Sequence, residues 1–303
     1  MVEVAGWVAV AATVCAVALG RRWPFEIACH FRVQYAAVLA ACALLEWHAG
    51  HHAVAATFAV VAAANVAVIA PLYVARPRRV PGVPFVRVMA ANVLSTNLDY
   101  ASLSAAVRRE RPAVLVVQEV DAPWLAALEP LRAEWPHEIS DARDDNFGIG
   151  LFSALPIRDA RLIAFGPDEL PAIVATIAVG ERALTIVVLH AVPPRSHYHF
   201  VLRGMQLEGA AAVVRDAGPA ILIGDFNTTP WSPTFTDLVA DGRLLDGRRG
   251  FGLQPTWHTA VPPLLIPIDH CLHTPDVRVI SFRAGSPNGS DHYPLVVDVV
   301  PLR

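Results

Sequence analysis

Three long apolar runs open the chain, Val4 to Gly20, Val33 to Leu45 and Val54 to Val74; beyond them the pattern changes to short apolar blocks broken by charged turns. A membrane-spanning helix needs about 20 apolar residues, and the third run reaches that length, so the pattern predicts about three transmembrane helices, the second of them short. A secretory signal peptide is the other reading of the first run. The lack of a cationic segment ahead of it and the further apolar runs behind it favour an anchor. Arg76-Pro77-Arg78-Arg79-Val80-Pro81-Gly82-Val83-Pro84 is too polar and too rich in proline for a span and predicts a linker. The expected division is a membrane domain over residues 1–80 and a second domain over 81–303.

In the second domain strands and helices alternate at first. Phe85 to Asn92 reads as a strand, Tyr100 to Arg109 as a helix, Ala113 to Glu119 as a buried strand and Pro123 to Glu134 as a helix. Shorter strand-like pieces follow at Phe147–Ser153, Ile173–Val179 and Ala183–His190, and His199 to Asp216 reads as an amphipathic helix closed by Gly218. Ile221-Leu222-Ile223-Gly224-Asp225 is a buried strand, Ser232-Pro233 a helix start with serine as N-cap and proline at the first position, and strands recur near Ile266–Leu272, Val277–Phe282 and Tyr293–Val299. Mixed strands with helices between and after them predict an α/β fold of two packed sheets with helices outside, a layered sandwich.

Composition changes this picture little. Hydrophobic residues make up 54% of the 303 and charged residues 17%, an excess concentrated in the opening runs and in line with membrane segments. All 24 basic residues are arginine. Residues 81–303 hold 18 arginines against 24 carboxylates, net −6, whereas residues 1–80 are net +3. An acidic domain is poorly suited to a non-specific grip on nucleic-acid phosphates. Cys15, Cys29, Cys42 and Cys271 have neither metal nor redox spacing and read as small core residues.

Candidate chemistry gathers where apolar runs stop. Asn92, Glu119, His190, Asp225, Asn227, Asp269, Asp291 and His292 all fall at strand ends or in the loops beside them. Two-residue alternation puts Asp225 and Asn227 on one face at the carboxyl end of a strand, where open sheets place their ligands; turn chemistry capping the next helix is the bland alternative. Glu119 ends the run Val114-Leu115-Val116-Val117, and a carboxylate there needs a cation or a partner. A hard cation such as Mg²⁺ wants oxygen ligands with water sites left open, which Asn92, Glu119 and Asp291 can supply; no Cys/His spacing suits zinc. Asp269 can hold the ring of His292 in one tautomer. Taken alone, His190 is as well explained as a hydrogen-bonded core histidine, and His258 and His270 are left as such.

The stretches around Asn92, Gln118-Glu119, Leu189-His190, Gly224-Asp225-Phe226-Asn227, Ile268-Asp269-His270 and Ser290-Asp291-His292 together resemble the ordered motifs of the endonuclease/exonuclease/phosphatase superfamily over about Val86 to Val299. The resemblance implies a four-layer α/β sandwich and cleavage of phosphate esters with Mg²⁺ or Mn²⁺. It implies metal binding by Glu119, with Asn92 beside it and Asp291 near that ion or a second one. It further implies water activation by Asp225 and Asn227, and phosphate contact by His190 and by a His292 held by Asp269. Three spans ahead of such a domain resemble a bacterial membrane-bound branch that includes a teicoplanin-resistance membrane protein. That points to a lipid or lipid-linked phosphoester as substrate, with nucleic acid next and a catalytically silent membrane sensor or scaffold as the reading from another class; no protein partner is expected. Arg21, Arg22 and Arg32 after the first run, with Arg76, Arg78 and Arg79 after the third, would put the second domain in the cytoplasm. The resemblance implies the outer face of the cell membrane, which is the expectation adopted.

Overall fold

The computed structural model describes residues 1–74 and 84–302. The expected linker, except for Pro84, lies outside the described residues, and with it Arg76, Arg78, Arg79 and the boundary at residue 80. The apolar runs form α1 (Val2–Leu19), α2 (Arg32–His48) and α3 (His52–Ile69). Turns of 3₁₀ helix extend the second run back to Phe25 and the third on to Tyr73, so Val2–Leu19, Phe25–His48 and His52–Tyr73 are each long and apolar enough to cross a membrane. The second segment is therefore longer than the apolar run alone predicts. Val8, Val14 and Val17 on α1, Leu44 and Leu45 on α2, and Val60 and Val66 on α3 face outward, as a lipid-facing surface requires. Inside, Gly6 allows α1 to approach Phe58 of α3 so closely that a Cβ there would lie 2.3 Å from the ring. Asn65 of α3 donates to Thr13 of α1 and accepts from Arg32 of α2, a polar tie among all three helices of the kind that joins membrane segments.

The remainder of the chain forms two six-stranded mixed sheets. The first runs β11 (Val277–Ala284), β12 (Leu295–Pro301), β1 (Val86–Asn92), β2 (Val114–Gln118), β4 (Ile149–Ser153) and β3 (His137–Asp141). The second runs β5 (Ile157–Ala164), β6 (Pro171–Val179), β7 (Arg182–Leu189), β8 (Ala220–Asp225), β10 (Asp269–His273) and the two-residue β9 (Leu245–Asp246). Val88, Val116 and Val297 of the first sheet meet Ile173, Ile186, Val188 and Ile223 of the second in the central core. The outer face of the first sheet packs on α4 (Tyr100–Glu110) and α5 (Ala122–Leu128) through Leu103, Val107, Trp124 and Leu128. The outer face of the second packs on α6 (His197–Arg215) and α7 (Pro233–Asp241) through Leu207, Ala211, Phe235 and Leu238. The result is the four-layer α/β sandwich expected from the sequence.

Local chemistry explains the element bounds. β2 is buried along its whole length, so it shows no polar alternation; β5 is an edge strand, with Arg158, Asp159 and Arg161 facing solvent. Each sandwich helix starts on a side-chain cap: Asp99, Asp121, Ser196 and Ser232 accept from the N–H groups of Ser102, Trp124, His199 and Phe235. The expected helix Pro123–Glu134 divides, because Pro130 cannot continue the ladder and the chain passes into a 3₁₀ turn over Glu129–Glu134. β1 and β2 are parallel, with Asn92 beside Gln118, and so are β7 and β8, with Val188 beside Ile223. Their carboxyl ends therefore open at one end of the sandwich. β10 begins there too, since it runs antiparallel to β8 with Asp269 opposite Asp225.

Candidate active site

Seven of the eight residues singled out from the sequence meet at that end. Asn92 Nδ2 donates to Glu119 Oε1 at 2.8 Å and lies 3.4 Å from Asp225 Oδ2. His190 Nε2 is 3.9 Å from Glu119 Oε1 and 3.8 Å from Asp225 Oδ2. On the other side of Asp225, His292 Nε2 is 3.7 Å from the same Oδ2, and its Nδ1 sits 2.9 Å from Asp269 Oδ2. Asn227 N–H donates to Asp225 Oδ1 at 2.8 Å. Asp225 is thus the hub, joined to both imidazoles. Asp291 stands at the rim, where its Oδ2 accepts from Trp257 Nε1 at 2.9 Å.

Two backbone features shape this floor. Glu119 follows β2 at φ 61° and Asn227 follows β8 at φ 49°, left-handed conformations that cost about 1–3 kcal/mol each for residues with a Cβ and gather at functional sites. The strand alternation expected to put Asp225 and Asn227 on one face ends at Asp225. The left-handed turn instead sends Asn227 Nδ2 to the carbonyl of Ala191, just past His190, at 2.9 Å. Gly224 has φ 142°, and a Cβ there would lie 2.2 Å from the Leu189 carbonyl and 2.6 Å from Gln118 Nε2. No other residue could sit between those neighbours.

Charge is badly balanced in the site. Burial first, and then the Asp269 carboxylate, push the Asp225 carboxyl up to about 8. Burial works against the imidazolium of His292, but the charge and hydrogen bond of Asp269 hold it up at about 10. The same contacts keep Asp269 below the usual carboxylate range in spite of its burial. Burial pushes His190 down although Glu119 lies near. One imidazolium therefore faces Glu119, Asp225 and Asp269, and a divalent cation would relieve the excess. The donors suit a hard cation: they are carboxylate oxygens, with no thiolate among them. The ligand atoms of Asp225, Asp269 and His292 lie within 4.8 Å of one another, but Asp269 Oδ2 is already engaged by His292, so a cation would draw on the remaining lone pairs of Glu119 and Asp225, whose oxygens accept from Asn92, Ser95 N–H and Asn227 N–H. Asn92 turns its amide nitrogen toward them, and its Oδ1 accepts from Leu94 N–H.

Several supporting residues were assigned no role from the sequence. Gln118 donates to the Leu189 carbonyl and accepts from Asp225 N–H, tying the two sheets together beneath the site. Thr256 Oγ1 accepts from Asp269 N–H, and buried Arg248 donates to the Asp269 carbonyl and to those of Leu253 and Gln254. Trp257 and Arg248 lie in an irregular stretch without periodicity, where only the contacts reveal them. His270 is a core residue, its Nε2 on the Thr228 carbonyl and its ring between Phe226 and Phe235; burial pushes it down to about 3.

Acids, an amide and a carboxylate-held imidazole thus gather at the strand ends of a four-layer sandwich. The chain belongs to the endonuclease/exonuclease/phosphatase family, whose model matches residues 89–292. Among solved structures it is similar to the endonuclease/exonuclease/phosphatase from Beutenbergia cavernae DSM 12333, at 21% identity over 71% of each chain with TM-score 0.58. It is similar to D. rerio TDP2 complexed with single-strand DNA product, at 15% identity over 71% of this chain and 99% of that one with TM-score 0.60. Sphingomyelinase C from Streptomyces griseocarneus matches at 18% identity over 71% and 99% with TM-score 0.54. No curated protein matches.

Glu119 offers the most direct test of the cation site. Glu119→Gln keeps the shape and removes a ligand charge, so it is expected to weaken Mg²⁺ binding by at least about tenfold while the melting temperature of the metal-free protein changes little. Calorimetric titration checks this, and unchanged affinity would remove Glu119 from the site.

Proposed function

We propose that the chain is a membrane-anchored phosphoesterase that works with Mg²⁺ or Mn²⁺ on a phosphate ester of a lipid or lipid-linked precursor. The observation that carries this reading is which loops touch the membrane helices. Trp23 Nε1 donates to the carbonyl of Pro194, in the loop that leaves His190, at 3.2 Å. His30 Nδ1 lies 3.1 Å from Thr229 Oγ1, two residues past Asn227. Gln34 Nε2, near the start of α2, donates to the carbonyls of Pro263 and Leu265, each at 3.2 Å, and the N–H groups of Gly250 and Gly252 donate to Leu72 at 2.8 and 3.0 Å. The site end of the sandwich thus rests on one end of the three helices. Beside Gln34 the loop at 260–264 exposes Val261 and Leu264, a surface suited to the headgroup region of a bilayer.

In this reading Glu119, with Asp291 at the rim, would hold the cation, which supplies charge neutralisation to the phosphoryl oxygens when bound, and Asn92 would orient Glu119 through its amide N–H rather than ligate the ion. Asp225 accepts the proton of the attacking water, and Asn227 fixes that carboxylate through its N–H. Charged His292 and neutral His190 flank the phosphate and donate to its oxygens, so that fixed charges meet those developing in the transition state. Nucleic acid is the second reading, favoured by the likeness to TDP2 with its DNA product and opposed by the net charge of −6 over residues 81–303.

The test is hydrolysis by the full-length protein of a phosphate monoester, a phosphodiester, a lipid pyrophosphate in vesicles and plasmid DNA, with Mg²⁺ and with chelator. Chelator-sensitive turnover highest on the lipid is expected. Cleavage of DNA alone would replace this reading with the nuclease one, and no turnover on any of the four would leave a silent scaffold. A reporter fused after Arg303 is expected to be active outside the cytoplasm. Cytoplasmic activity would remove an outer-leaflet precursor from the candidates.

A further inference from the structure

The contacts between membrane helices and sandwich include one that is not surface packing. Glu26, in the 3₁₀ turn Phe25–Phe31 between α1 and α2, is fully buried, and so is Arg203 of α6. Arg203 Nη2 lies 2.8 Å from Glu26 Oε2. This close approach is off the line of the N–H bond, so it acts as charge attraction more than as a directed hydrogen bond. The other terminal nitrogen of Arg203 donates to the main-chain carbonyl of Asn227. Glu26 Oε1 accepts from Thr234 at 3.2 Å and Thr228 at 3.4 Å, its Oε2 is 3.5 Å from His30 Nε2, and His30 reaches Thr229. The residues just after Asn227 are therefore held from the membrane side by two side chains of a single turn.

Asn227 is where this matters, because its φ of 49° is a left-handed conformation that asparagine tolerates but that its surroundings must select. Its N–H is bound to Asp225 and its side-chain amide to Ala191, and Arg203 holds its carbonyl. A buried guanidinium keeps its position only while its charge is matched, and Glu26 is the carboxylate paired with it. We propose that the Phe25–Phe31 turn is a positioning element of the active site, with Glu26 acting through Arg203 to hold the Asn227 peptide, so that the membrane part completes the site as well as anchoring it. Neither Glu26 nor Arg203 touches Asp225, Glu119 or the histidines; both are positioning residues.

The catalytic consequence rests on the phosphoesterase reading, whereas the structural one can be measured without turnover. The experiment uses full-length protein in nanodiscs with two readouts: amide exchange over residues 226–231, and steady-state hydrolysis of bis(p-nitrophenyl) phosphate with Mg²⁺. Glu26→Gln is expected to speed exchange over 226–231 by about tenfold or more and leave β1 and β2 protected, a local opening without global unfolding. It should lower kcat by about tenfold or more with KM within about twofold, and Glu26→Asp should recover part of both effects. In an Arg203→Met protein the further change Glu26→Gln should cost little more, since its route to Asn227 is already gone. Unchanged exchange over 226–231 in Glu26→Gln, or losses that simply add to those of Arg203→Met, would overturn the proposal. Should Arg203→Met fail to fold, the ordering of Glu26→Gln against Glu26→Asp decides. A wild-type protein that hydrolyses nothing would sink the phosphoesterase reading and leave the exchange result standing.

Discussion

His292→Ala and Asp269→Asn are each expected to lower the rate of phosphoester hydrolysis by about 10²–10⁴-fold, and the double variant by little more than either. The two residues come from β10 and from the turn before β12, 23 positions apart, and close to 2.9 Å with both side chains buried. Asp269 keeps the ring charged despite burial, holding it up at about 10, and leaves Nε2 facing Asp225, where the proposed reaction brings the phosphate. With asparagine at 269 the shape survives but the largest support of the imidazolium is gone, so the His292 pKa should fall, with Asp225 and Asp291 left to hold it. The alkaline limb of the rate profile should then move to lower pH in Asp269→Asn. Stability follows with a definite sign. Protonated His292 stabilises the fold fully below its ordinary value of 6.5, and this is lost as pH rises through about 10; ionised Asp269 stabilises above its ordinary 3.8, and this is lost as pH falls through its lowered value. Rates of the single and double variants at saturating Mg²⁺ check the coupling. Strictly additive losses, or a near-normal Asp269→Asn enzyme, would show that the two residues work apart.

The placement of that pair shows what could be read from the chain. Strand-end position was legible because the runs before Asn92, Glu119, His190 and Asp225 are apolar and stop abruptly, and parallel pairing of β1 with β2 and of β7 with β8 brings such ends together. The cap at Ser232-Pro233 and a layered sandwich with helices outside two sheets were legible for the same local reasons, and the family resemblance supplied the four layers. What lay beyond reach was set by tertiary contact. The short second apolar run gave no sign that Phe25–Phe31 extends it as a 3₁₀ turn and packs against the loop after β8, since Glu26 and His30 look like ordinary interfacial polar residues. The alternation rule failed at Asn227 because the Asp225 carboxylate and the Ala191 carbonyl bend the chain into a left-handed turn. Strands β3 and β5 were missed because one is half-buried throughout and the other is an edge rich in charge. Arg248 offered only one of two adjacent arginines in a glycine-rich stretch, yet it is fully buried and stitches the 248–254 segment to Asp269.

Asp225→Asn is expected to abolish most activity and yet make the metal-free protein more stable at pH 8. In the metal-free site burial and the nearby Asp269 carboxylate push this carboxyl up to about 8 from an ordinary 3.8, so ionising it opposes folding. For a carboxyl raised in the folded state, the favourable contribution is fully present below 3.8 and disappears as pH rises through about 8. Asparagine has nearly the same shape and no charge to bury, so wild type and variant should melt alike near pH 4 and diverge as pH rises. Each pKa unit corresponds to about 1.4 kcal/mol, so the ceiling is several kcal/mol, and relaxation of the site will realise only a part. Even about 1 kcal/mol would move the melting temperature of a domain this size by about 2–4 °C. Mg²⁺ should reverse the order, because a cation bound beside Asp225 favours its ionised form and stabilises wild type more than the variant. The rate should fall by about 10²-fold or more, since the variant lacks the carboxylate proposed to accept the proton of the attacking water. Thermal melts of both proteins from pH 4 to pH 8, with chelator and with Mg²⁺, decide the matter. A variant that melts below wild type at pH 8 in chelator would mean that Asp225 is comfortable where it sits, and the charge imbalance argued for the cation site would fall with it.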